Sequence, residues 1–120
     1  MSASFNAYEY GQVIRANMQQ DISAGTAFEM IIQPEQGASK NASQLPNRPN
    51  GAVIASGSDV TVGGVDVTVG DVTYLADQYL EYTTKENDLS KAGTWRVRGT
   101  AVISSTNKIV GDFVRFTVLD

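Results

Sequence analysis

The chain contains no cysteine and no histidine. The first absence removes disulfide staples and thiolate zinc frameworks, and fits a reducing compartment. The second removes the commonest general base and the commonest transition-metal ligand. No apolar run approaches the ~18 residues that a membrane-spanning helix needs. Basic residues are few and scattered: nine Lys and Arg stand against thirteen Asp and Glu, for a net charge of −4. A phosphate backbone is held by clustered cations, so nucleic acid is not an expected partner. The opening residues, Met1 to Asn6, lack the charged and apolar regions of a secretory leader. The expectation is a non-enzymatic binding or structural module without cofactor or metal, made in a cytosol and not membrane-bound.

A length of 120 residues points to one domain. About two thirds of the surface of such a chain is buried on folding, enough for a core that needs no staple. Period-2 alternation dominates. Val13 to Gln19 puts Ile14, Ala16 and Met18 on one face. Asp21 to Gly25 is a bend, and Ala27 to Gln33 is a second strand with Phe28, Met30 and Ile32 aligned before Pro34 stops it. Residues 34–51 form a long polar loop that holds all three prolines, together with Lys40 and Arg48.

A short repeat follows. Asp59-Val60-Thr61-Val62-Gly63-Gly64-Val65 is answered by Asp66-Val67-Thr68-Val69-Gly70-Asp71-Val72, each unit a strand closed by glycine, as in a tight hairpin or meander. Calcium binding by Asp59, Asp66, Asp71 and Asp77 would require a stacked nonapeptide or EF-hand grammar that is absent, so these read as turn carboxylates. Leu80 and Tyr82 face the core in the next strand, and Asp88 and Ser90 suit one short helical turn. Trp95, Val97, Ala101 and Ile103 then share one face, with Arg96, Arg98 and Thr100 on the other. Ser104 to Lys108 is a polar hairpin loop, and the last strand turns Val114, Phe116 and Val118 inward.

The fold class is all-β: an immunoglobulin-like β-sandwich of seven to eight mostly antiparallel strands, with one long polar loop and at most one short helical turn. Residues 1–11 form an N-terminal edge strand or arm, and residues 12–120 the single sandwich domain. Trp95, Phe28, Phe116 and Tyr82 are the core anchors.

Several groups of residues carry a family resemblance. They are Asp21-Ile22-Ser23-Ala24 before a strand ending in Gln33-Pro34, Tyr82-Thr83-Thr84, Asp88-Leu89, Ala92-Gly93-Thr94-Trp95 and a terminal Phe116-x-Val118. Together they look like a family of small immunoglobulin-like virion domains of tailed bacteriophages, related to the N-terminal domain of baseplate upper proteins. The C-terminal forty residues match best, while residues 34–75 are longer and richer in glycine than the usual central hairpin. The resemblance implies a virion protein assembled in the host bacterial cytoplasm. It would act as a fibre-attachment adaptor at tail, neck or baseplate, or as a capsid decoration, with other phage structural proteins as partners and a possible homo-oligomer on the particle. With no collagen-like or lectin segment in view, the chain would be a bead rather than a fibre.

Candidate interface residues follow from the pattern. Phe5, Tyr8 and Tyr10 alternate with polar residues, either as a strand packed at home or as an arm donated to a neighbour's sheet edge. Arg96, Arg98 and Arg115 lie outward on the last strands. They serve either as cross-strand solubility charges or as a basic stripe for an acidic partner. Arg48 belongs to the polar loop. A carbohydrate- or host-surface-binding sandwich is the alternative class, for which Tyr74 and Tyr79 are the available exposed aromatics.

Overall fold

The computed structural model describes residues 4–35, 52–90 and 92–119. The loop expected over 34–51 therefore lies, beyond Glu35, outside the described residues, and Arg48 with it. The elements are β1 (Ser4–Asn6), β2 (Val13–Asn17), β3 (Ala27–Pro34), β4 (Val53–Ser56), β5 (Val60–Val62), β6 (Val67–Val69), β7 (Val72–Tyr74), β8 (Tyr79–Thr83), β9 (Gly93–Ser104), β10 (Asn107–Val110) and β11 (Val114–Leu119), with a 3₁₀ turn at Gly57–Asp59.

These strands build an all-β, sandwich-like fold. The larger sheet runs β1-β11-β9-β3-β4, with β10 continuing along β9 beyond β11; the smaller sheet is β2-β8-β5, and β6-β7 is a separate hairpin. Every pairing is antiparallel except β1 on β11. More strands are present than the seven or eight expected, because four of them (β1, β5, β6 and β7) are only three residues long. Pieces that short carry too little alternation to be read from a sequence.

Alternation does place the core. Met30, Ile32, Trp95, Val97, Ala101, Phe116 and Val118 project from the larger sheet onto Ile14, Ala16, Leu80, Tyr82 and Val60 of the smaller one, with Met18, Ile22 and Leu89 filling the ends. Trp95 is fully buried and stacks at a tilt on Phe116, 6.2 Å between centroids. Phe28 is only half-buried at the margin of this cluster, beside the Gly25 bend. The sheets come closest at Gly99, where an added Cβ would lie 2.8 Å from Met18 Sδ and 2.9 Å from Leu80 Cδ1. A Cβ there would have to push the ends of the Met18 and Leu80 side chains aside.

Other expectations change in the folded chain. The two repeat units do not pair with each other. Val60–Val62 joins β8, whereas Val67–Val69 forms a hairpin with Val72–Tyr74 across Gly70 and Asp71. Identical local sequences diverge because pairing partners, not propensity, assign a strand to a sheet. Strand β3 runs through Pro34 rather than stopping before it. The turn after β9 is shorter than Ser104 to Lys108, since β10 already begins at Asn107. Val114 pairs with the buried Val97, yet it is 49 % exposed because the sandwich gapes at that corner.

Candidate functional site

The two sheets have unlike outer faces. The smaller sheet is roofed by the β6–β7 hairpin. Tyr79 points away from the main core but is buried beneath this roof: its hydroxyl donates to Val65 O at 2.7 Å, and its ring lies 5.5 Å from that of Tyr74. Gly63 makes the approach possible, since a Cβ there would fall 1.9 Å from the Tyr79 ring. Arg15 completes the cover by donating from Nε to Glu81 at 3.0 Å, with its guanidinium 6.0 Å from the Tyr74 ring centre. Tyr79 is thus a second, smaller core, and Tyr74 is half-buried. Neither is the exposed sugar platform that the sequence allowed. Burial raises the Tyr79 pKa above its ordinary value.

The larger sheet carries no such roof among the described residues. On its outward face Arg96 stands opposite Gln33 of β3 and Arg115 of β11, and Arg98 stands opposite Ile31. A local irregularity adds an aromatic ring to this set. Val110 pairs with Thr100 and Val114 with Val97, so four steps on one strand (110 to 114) match three on the other (97 to 100). One extra residue is absorbed between β10 and β11. Such a break resets the alternation beyond it: Phe113 shares the outer side with Arg115, and Phe116 and Val118 point to the core. Guanidinium carbons of Arg96 and Arg98 lie 4.1 and 4.3 Å from the Phe113 ring centre. Each such contact is worth ~0.5–2 kcal/mol, depending on how far the cation is desolvated.

The arginines differ in their partners. Arg115 is 74 % exposed at its side chain and donates from Nε to Glu35 at 2.7 Å, which holds its pKa above the usual value. Arg96 is gripped by the buried Gln33. With the amide oxygen turned toward the guanidinium, that oxygen accepts from Nε at 2.7 Å and from Nη2 at 2.8 Å. Arg98 has the Phe113 ring, and its Nε is buried without an acceptor. Neither Arg96 nor Arg98 has a carboxylate partner among the described residues. The solubility-charge reading therefore suits Arg115 and not the other two. Phe113 was not among the sequence candidates, although the alternation of the last strand puts it on the same side as Arg115.

The N-terminal segment takes the edge-strand option in the described chain. Strand β1 pairs in parallel with β11, and Phe5 meets Phe116 edge-on at 5.6 Å. The segment is then laced across the end of the sandwich. Ala7 N donates to Leu119 O, Tyr8 N to Leu89 O, and Gly11 N to Thr84 O at 2.9 Å. Tyr8 and Tyr10 remain 63 % and 60 % exposed. Behind β1, the gaping corner forms an apolar cleft of about 350 Å³ whose lining includes Phe5, Ile14, Val97, Val114 and Phe116.

Tyr82, an expected anchor, is buried and donates from its hydroxyl to Asp88, whose carboxylate also accepts from Lys85 N at 2.7 Å. This pair closes the turn after β8 and seats Leu89 in the core. Burial first, and the neighbouring Asp88 second, push the Tyr82 pKa far above that of a free tyrosine. The aspartates of the repeat region serve turns and surface pairs: Asp66 Oδ1 accepts from Ala76 N at 2.8 Å, and Asp59 pairs with Lys85 at 2.9 Å. Among the described residues no three acidic side chains gather as a metal site, and no helix is long and apolar enough to cross a membrane. Protein-family models, curated proteins and solved structures all yield no match to this chain.

Proposed function

We propose that the chain is a structural module of a tailed-bacteriophage virion that binds other virion proteins at tail, neck or baseplate, as a fibre-attachment adaptor. It works by surface contact and performs no chemistry. The observation that carries this reading is the outer face of the larger sheet, where Arg96 and Arg98 lie against Phe113 and have no carboxylate partner among the described residues. A module that only had to stay soluble would gain more from paired surface charges. Arginine is a favoured interface residue because its planar fork is pre-organised and weakly hydrated. The resemblance of the Tyr82–Asp120 stretch to phage immunoglobulin-like domains supplies the setting, and the all-β sandwich suits it. On this reading the chain folds in the bacterial cytoplasm and takes its copy number from the symmetry of its neighbours.

The test is mass spectrometry of density-purified particles from cells producing the phage that encodes the chain. The expected result is the chain in fixed ratio to the major structural proteins and retained through repeated banding. Recovery only from the soluble lysate would overturn the proposal.

A further inference from the structure

We propose that the face formed by Arg96, Arg98 and Phe113 docks an extended acidic segment of a partner protein, with carboxylates at alternate positions meeting the two guanidiniums. This deepens the binding role proposed above and rests on it. Three observations carry the assignment. The first is charge: the outward register of the larger sheet holds Arg96, Arg98, Arg115 and Lys108, against Glu29 opposite Thr100 and Glu35 already engaged by Arg115. Among the described residues two guanidiniums are left without a carboxylate, and both are only half-exposed. A cation that is partly desolvated and lacks a counter-charge recovers more from an incoming carboxylate than a fully hydrated one does.

The second observation is pre-organisation. Gln33 holds one edge of the Arg96 fork and Phe113 lies against both guanidiniums, so little side-chain freedom remains to be lost on binding. Phe113 immediately precedes β11 and shares the outward side of Arg115, so its place beside the two arginines follows from the register of β11 on β9. The third is spacing. Arg96 and Arg98 are two residues apart on one strand, ~6.7 Å along its axis. An extended segment presents alternate side chains on one face at the same interval, so Glu or Asp at positions i and i+2 falls in register. A helix sets its i+3 and i+4 neighbours ~4.5 and ~6 Å apart along the axis, a less close match than the extended segment. The net charge of −4 disfavours long polyanions at a distance, whereas a short acidic segment feels mainly the local pair.

The probe is a short synthetic peptide alternating glutamate with threonine, titrated into the full chain by calorimetry. Comparison ligands are its glutamine counterpart, inorganic phosphate and a single-stranded oligothymidylate. The inference predicts that the glutamate peptide binds and the glutamine peptide does not. Arg98→Gln and Arg96→Gln should each weaken binding about tenfold, as loss of a charge-assisted hydrogen bond implies, and Arg115→Gln less than about threefold. Unchanged Trp95 emission would confirm that each variant remains folded. Preferential binding of oligothymidylate or phosphate would overturn the proposal. So would peptide binding that ignores Arg96 and Arg98, or a self-association of the chain that these substitutions abolish. Incorporation of the Arg96→Gln/Arg98→Gln chain into particles at the normal ratio would sink this inference while leaving the virion role standing. Absence of the unaltered chain from particles would remove the virion role, and the peptide result would then be judged by itself.

Discussion

Arg15 and Arg98 occupy equivalent places on the two sheets: each sits mid-strand, projects from the outer face and lies near an aromatic ring. Arg15 is answered by Glu81 across the strand pair and shielded by a hairpin that buries Tyr79. Arg98 is answered only by Phe113, with its Nε buried and unpartnered. The smaller sheet has thus completed its outer layer from its own chain, whereas no described residue covers the corresponding face of the larger sheet. A buried donor without an acceptor costs free energy, so Arg98 Nε is a locally unfavourable group in a way that no atom of Arg15 is.

The comparison breaks most visibly if the roof is removed. Tyr79→Ala should cost ~3–5 kcal/mol, because it empties the space between sheet and hairpin and frees the Val65 carbonyl. Urea denaturation would measure this, and a cost below ~1 kcal/mol would mean that the hairpin is loosely attached. Both buried tyrosines also set a pH limit. Their folded pKa values are raised above the ordinary tyrosine value of ~10, so their stabilisation is fully present below that pH and is lost as the pH climbs through the folded values. Thermal melts should show a falling midpoint above about pH 10. Tyr82→Phe should lose ~1–3 kcal/mol at neutral pH with the Asp88 hydrogen bond, and should flatten that alkaline decline. An unchanged slope would place the titration elsewhere.

The smallest effects sharpen the contrast between the faces. Arg15→Gln, at a half-exposed pair, should cost ~0–1 kcal/mol, a value discounted for screening by solvent. Arg98→Gln should leave stability within ~0.5 kcal/mol of the original, since it gives up a cation–π contact and removes an unpaired buried donor at the same time. Paired urea melts of the two variants would check this. A loss of more than ~2 kcal/mol at Arg98 would show the guanidinium to be a structural support rather than a surface held for binding.

Much of the inner layer was legible in the sequence. The alternations through Ile14-x-Ala16-x-Met18, Met30-x-Ile32 and Trp95-x-Val97 each placed the correct side chains inward, because a strand with one buried face leaves a strict period of two. Of the four anchors, Trp95, Phe116 and Tyr82 are buried and Phe28 reaches only the margin. The outer layers were far less legible. Tyr79 read as exposed because the hairpin that covers it is joined to it by no local pattern. Of the site, Arg96, Arg98 and Arg115 were visible as an outward row, but their unequal partners were not. Glu35 lies eighty residues from Arg115 in the chain, and Gln33 is separated from Arg96 by the long loop and the strands β4 to β8.

By itself, the sequence determined that this protein is all-β, that it folds without disulfides, and which side of each long strand faces inward. Composition and alternation act residue by residue and need no knowledge of neighbours. Only the tertiary structure decided which strand of the repeat joined which sheet, that the outer face of the smaller sheet would be roofed by the β6–β7 hairpin, and that Phe113 would lie against two arginines. The last depends on the register of β11 on β9, which brings residues distant in the chain side by side.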